Sequence, residues 1–158
     1  MGRAEQLLGL PITYYITTPL TPKAELEVTS ALNGMWFFVS NVDKRLTVQD
    51  VWITFSFEGD RLNHILQDSS PDDLCTKITK DDTRTDRVIF KCDFINPGER
   101  RRFSFLYENN TIWENIKEID VNATYQGYST SREFYRCHNA HLGNHLVSGF
   151  AEKGKPCK

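Results

Sequence analysis

The densest group of side chains able to do chemistry in this chain is the segment Cys137-His138-Asn139-Ala140-His141-Leu142-Gly143-Asn144-His145. Neutral imidazoles and a cysteine thiolate are zinc ligands, and one segment supplying Cys137, His138, His141 and His145 lowers the cost of assembling a site. The spacing follows no standard zinc signature, and Gly143-Asn144 works against a regular helix carrying the histidines on one face. A metal-dependent enzyme, or a domain stabilised by zinc, is therefore the alternative reading of the chain. Loop histidines at the end of a β-domain are the simpler one.

The four cysteines, Cys75, Cys92, Cys137 and Cys157, allow three complete pairings. Cys75 with Cys92 would join a polar excursion to a sheet, and Cys137 with Cys157 would tie down the tail. Each bond would add about 2–4 kcal/mol, chiefly by restricting the unfolded chain. Buried reduced thiols fit nearly as well, since Cys92 falls on an apolar strand face. Asn109-Asn110-Thr111 and Asn122-Ala123-Thr124 match the glycosylation acceptor pattern at Asn109 and Asn122. Together with the cysteines they shift the expected location towards an extracellular or lumenal one, without ruling out the cytoplasm.

Other clusters are weaker. Asp72-Asp73 and Asp81-Asp82 lack the spacing of a calcium loop and read as solvated. Arg100-Arg101-Arg102 reads as the solvated start of a strand. There is no Gly-x-Ser-x-Gly elbow, P-loop, dinucleotide fingerprint or His-Glu-x-x-His motif, so no catalytic residue is assigned. The formal charge of -2 gives no general pull towards nucleic acid, and no nucleic-acid partner is expected.

No apolar run approaches the roughly 20 residues that cross a bilayer. The stretch from Leu7 to Ile16 is broken by Gly9 and Pro11, and Gln6 stands where a myristoylation signal needs Ser or Thr. A membrane-anchored parent protein stays compatible with these residues.

The elements that must position any site are strands. With 158 residues, 39% of them hydrophobic and 25% charged, the composition suits one globular domain. Residues 1–24 read as a lead-in, 25–137 as the β-domain and 138–158 as a polar tail packed on it. In Val48 to Phe57, Val51, Ile53, Phe55 and Phe57 share one strand face, opposite Trp52, Thr54 and Ser56. Arg87 to Ile95 alternates likewise, and Asn96-Pro97-Gly98-Glu99 reads as the turn of a hairpin leading to Phe103, Phe105 and Tyr107. Met35 to Val39 is apolar on both faces, which suggests a central strand. Further strands around 25–30, 74–79, 117–125 and 131–137 make about eight, a number suited to two packed sheets.

The order of these features resembles that of immunoglobulin-like accessory modules. The resemblance rests on Val39-Ser40-Asn41 before a turn, Asp50-Val51-Trp52-Ile53-Thr54-Phe55, and Asn96-Pro97-Gly98-Glu99 followed by Arg102-Phe103-Ser104-Phe105. It covers Glu25 to Cys137 and lacks the disulfide-and-tryptophan spacing of antibody domains. It implies an all-β, immunoglobulin-like antiparallel β-sandwich used as a binding or positioning unit. The expected function is accordingly a non-catalytic interaction module for a protein or glycan. Trp36, Trp52 and Trp113 are candidate contacts; Trp36 and Trp52 fit core packing at least as well, and Trp113, between two strands, is the better surface candidate.

Overall fold

Strand alternation carries directly into burial: Val51, Ile53, Phe55 and Phe57 are fully buried, while Trp52, Thr54 and Ser56 face outwards. The computed structural model describes residues 24–31, 35–58, 66–79, 86–108, 116–137, 140–142, 145–147 and 150–156. Twelve strands are found among them: β1 Leu26–Ala31, β2 Trp36–Asn41, β3 Val48–Phe57, β4 Leu66–Pro71, β5 Cys75–Ile78, β6 Arg87–Ile95, β7 Arg100–Tyr107, β8 Ile116–Tyr125, β9 Tyr128–Arg136, β10 Ala140–Leu142, β11 His145–Val147 and β12 Phe150–Glu152. No α-helix occurs among the described residues.

The strands form a six-stranded sheet in the order β12-β9-β8-β3-β6-β5, a four-stranded sheet in the order β1-β2-β7-β4, and the small ribbon β10-β11. Every pairing is antiparallel. The two larger sheets face each other through aromatic rings. Phe55 of β3 meets Phe37, Phe103 and Phe105 of the opposite sheet at centroid distances of 5.4, 5.7 and 4.9 Å. Phe90 of β6 meets Phe103 at 4.9 Å. These edge-on and tilted contacts suit the ring quadrupoles and account for the phenylalanine-rich composition.

Two expectations are corrected. The count of about eight strands is too low, because β4 arises inside the polar stretch after Asp60 and β10 to β12 follow Cys137. The six-stranded sheet also runs past Cys137: β12 pairs with β9, and Phe150 packs against the core. The second correction concerns Asn96-Pro97-Gly98-Glu99. Its turn chemistry is as expected, with Gly98 at φ +79° and the Glu99 N–H donating to the Asn96 carbonyl over 3.0 Å. Yet it closes no hairpin. β6 pairs with β3 and β5, whereas β7 pairs with β2 and β4, so the turn is a corner between sheets.

A buried asparagine holds that corner. Asn41 is fully buried, and its amide donates to the carbonyls of Leu46 and Ile95 over 2.8 and 2.9 Å. Its backbone N–H donates to Glu99, and its carbonyl accepts from Gly98. One side chain thus satisfies groups where the chain crosses between layers and no ladder can do so.

Candidate functional site

Alternation in β2 sends Phe37 and Val39 into the core and Trp36 and Phe38 outwards. Alternation in β7 sends Arg101, Phe103 and Phe105 inwards and leaves Arg100 and Arg102 outside. The register places Phe38 opposite Arg102 and Ser40 opposite Arg100. A ladder results on the outer face of the four-stranded sheet. The Arg100 guanidinium lies 4.2 Å from the centre of the Phe38 ring, and that of Arg102 lies 4.9 Å from the centre of the Trp36 ring. Trp36 and Phe38 meet edge-on at 6.5 Å. Leu106, half exposed, extends the apolar strip beside Asp68 of β4.

The ladder explains why β2 is apolar on both faces. One face is buried by the opposite sheet, and the other is covered by planar cations. Stacking uses the faces of the guanidinium groups and leaves their N–H edges available to donate to carboxylates in a fork. Neither Arg100 nor Arg102 forms an ion pair among the described residues, although the Arg102 backbone N–H donates to Asp72 over 3.3 Å. Arg101, between them, plays a structural part instead. It is buried against the Phe94 ring and bonds the Phe94 carbonyl and Glu99 over 3.0 and 3.1 Å. The expectation of three solvated arginines therefore fails for Arg101.

The opposite outer face, on the six-stranded sheet, is polar. Rows across β3, β8 and β9 place Trp52, Asn122 and Ser131 side by side, with Thr54, Asp120 and Glu133 next to them. Trp52 is 40% exposed, so of the two places open to it, core and surface, it takes the surface. Asp50 sits at φ +48° where the register of β3 against β8 shifts between Gln49 and Trp52. This bulge helps shape an open hollow of about 340 Å³ lined by Asp50, Trp52, Asn122, Thr124, Ser129 and Ser131.

Farther along the same face, carboxylate oxygens of Glu118, Asp120 and Glu133 lie within 4.8 Å of one another. Burial, reinforced by the neighbouring Glu118 and Glu133, pushes the Asp120 carboxyl up to about 7. The Tyr135 hydroxyl donates to Glu133 over 2.8 Å, and that bond holds the phenol up at about 12. Near neutrality the cluster therefore keeps a proton that relieves part of its charge. Among the described residues this trio has the spacing of metal ligands, and sequence reasoning missed it. Its members lie on outward parity, but only strand pairing brings Glu133 beside Asp120.

Of the residues singled out from sequence, Cys75 and Cys92 are joined in a disulfide, directly opposite each other on β5 and β6. Cys137 is disulfide-bonded as well, with its partner outside the described residues, so its sulfur is not a free thiolate for a metal. His141 lies on β10 opposite Leu146, and His145 on β11 opposite Leu142; only their backbones are described. Asn122 is exposed on β8. Trp113, Asn109, His138 and Cys157 fall outside the described residues, as do Asp81 and Asp82. Asp72 holds the turn into β5 and the edge of β7, accepting from the backbone N–H groups of Leu74 and Arg102.

No family model, curated protein or solved structure matches the chain. No helix among the described residues is long and apolar enough to cross a membrane.

Proposed function

We propose that this chain is a non-catalytic, immunoglobulin-like interaction module that docks a protein partner through the outer face of its four-stranded sheet. The observation that carries the proposal is the Arg100–Phe38–Arg102–Trp36 ladder. Arginine and tryptophan concentrate binding energy at protein interfaces, because each offers a large rigid contact together with directed hydrogen bonds. The free guanidinium edges suit a partner that presents carboxylates at this strip. A neutral glycan would use the aromatic rings but would leave those edges without a charged acceptor, which favours the protein over such a glycan.

The immunoglobulin-like reading is supported by strand neighbours. With β1, β2, β7 and β4 standing for strands A, B, E and D, and β3, β8 and β9 for C, F and G, both layers follow that arrangement. The β5-β6 pair extends the second layer on the C side. The Cys75–Cys92 bond lies within one sheet and differs from the inter-sheet bond of antibody domains. The zinc alternative loses Cys137 as a thiolate ligand while that cysteine remains disulfide-bonded.

The proposal is tested with a photo-crosslinking amino acid at Leu106 in the cells that make the protein, with Tyr128 on the other sheet as control. The expected result is a discrete protein adduct from position 106, absent from position 128 and lost in the Arg100→Ala/Arg102→Ala variant. The adduct site on the partner should lie beside Asp or Glu. An adduct indifferent to the two arginines, or none from position 106, overturns the assignment.

A further inference from the structure

We propose that Asn122 is an N-glycosylation site whose first sugar is seated on the indole ring of Trp52. The acceptor pattern Asn122-Ala123-Thr124 lies on β8, and alternation turns Asn122 and Thr124 outwards while Ala123 is buried. Asn122 is exposed, and no hydrogen bond engages its side chain among the described residues. The register sets it directly between Trp52 on β3 and Ser131 on β9.

The surroundings suit a sugar ring. Trp52 presents part of its indole to solvent, Lys91 approaches it from the β6 side at 5.9 Å, and Asn122 borders it from the β8 side. The apolar C–H face of a pyranose packs well on such a ring. The hollow around them is about 340 Å³ and carries Asp50, Thr124, Ser129 and Ser131 as hydroxyl-bonding partners. The Cys75–Cys92 disulfide is a second, independent pointer, because disulfides persist in the oxidising compartments where this modification is made.

The modification is a glycosyl transfer from a lipid-diphosphate-linked oligosaccharide, catalysed by a cellular transferase that reads the Thr124 hydroxyl. The Asn122 Nδ2 bonds to C1 of the first sugar, and the bond from C1 to the diphosphate oxygen breaks. The lipid diphosphate leaves with the electron pair, and Nδ2 gives up one proton. Transfer precedes sheet formation, and the fold then accommodates the product on an open face. That face is opposite the arginine ladder, so the two proposals stand or fall separately.

The test directs the full chain into a eukaryotic secretory pathway behind an added signal peptide. An Asn109→Gln background leaves residue 122 as the acceptor to be read. Enzymatic release of N-glycans in heavy-oxygen water should convert residue 122 to labelled Asp. Asn122→Gln and Thr124→Ala should abolish the label, and Thr124→Ser should retain it. Folded, secreted protein with Asn122 unmodified overturns the site. For the Trp52 seat, the glycosylated protein should melt about 2 °C or more above its deglycosylated form. Trp52→Ala should remove that difference, and Trp52→Phe should keep part of it. A difference unchanged in Trp52→Ala overturns the stacking.

Discussion

The Tyr125 hydroxyl donates to the Asp43 carboxylate over 2.5 Å, joining the end of β8 to the loop that carries the chain from one sheet to the other. The same carboxylate accepts from the backbone N–H groups of Arg45 and Leu46, so one acid organises the loop and anchors it. Tyr125 first, and the Arg45 N–H second, hold the Asp43 carboxyl below its ordinary value of 3.8. A depressed carboxyl stabilises the fold above its unfolded pKa and loses that contribution as the pH falls. Tyr125→Phe should lower stability by about 1–2 kcal/mol at pH 7. Urea titrations at pH 7 and pH 3 should show the difference shrinking at the lower pH; an equal loss at both would contradict the assignment.

The Cys75–Cys92 bond closes a chain segment with a sequence separation of 17 and fastens the edge strand β5 to β6. Cys75→Ala/Cys92→Ala should lose about 3 kcal/mol, as expected for a loop of this length. Hydrogen exchange should locate the loosening at residues 75–78 before the β3-β8 centre responds. Uniform loss of protection would show that β5 is held by other contacts.

Asp120 carries the opposite sign from Asp43. Its carboxyl titrates near 3.8 when unfolded and near 7 in the fold, so the folded state holds the proton across that interval. Its contribution is full below pH 3.8 and declines as the pH rises to about 7. Asp120→Asn should therefore stabilise the protein at pH 8 by on the order of 1 kcal/mol, allowing for solvent screening, and leave it unchanged near pH 3. Thermal melts of both proteins across this range provide the measurement, and a variant less stable at pH 8 would refute the reading.

Arg132 clasps Glu152 through two nitrogens, one of these contacts being 2.7 Å, and also donates to the Ala24 carbonyl ahead of β1. It links the β12 edge of one sheet to the beginning of the other. Arg132, followed by Lys155, holds the Glu152 carboxyl down at about 2, so its stabilisation is present above 4.5 and fades as the pH falls towards 2. Glu152→Gln should cost about 1–2 kcal/mol at pH 7, less than a fully buried pair because Glu152 retains some exposure. Acid titration should bring the variant and the parent together, and a constant gap would exclude the ion pair as its source.

Much of the scaffold was legible in the residues. The period of two in Val48 to Phe57 and in Arg87 to Cys92 became β3 and most of β6 with the expected faces inward, and Cys75 and Cys92 proved to be partners. At the end of β6 the alternation breaks, leaving Phe94, expected on the face of Val88, Phe90 and Cys92, exposed and Ile95 buried. β4 was hidden because Leu66 to Pro71 is short and polar, and lies at the edge of its sheet. The sequence leaves Trp52 between core and surface because an aromatic on polar parity looks like a second buried face. The lysine and asparagine that flank it come from other strands.

What the sequence by itself determined is the inward and outward face along the longer alternating strands, because that follows from local geometry repeating every two residues. It also determined the torsions of the turn at Pro97-Gly98, one fixed by the proline ring and the other, positive, open to glycine because it has no Cβ. Only the tertiary structure decided that this turn joins two sheets instead of closing a hairpin. It likewise decided that Arg100 and Arg102 cover Phe38 and Trp36, and that Glu133 arrives beside Asp120. These outcomes depend on which strands become neighbours. That choice is made by burying the Phe37, Phe55, Phe90, Phe103 and Phe105 rings together, a long-range sum that no local pattern contains.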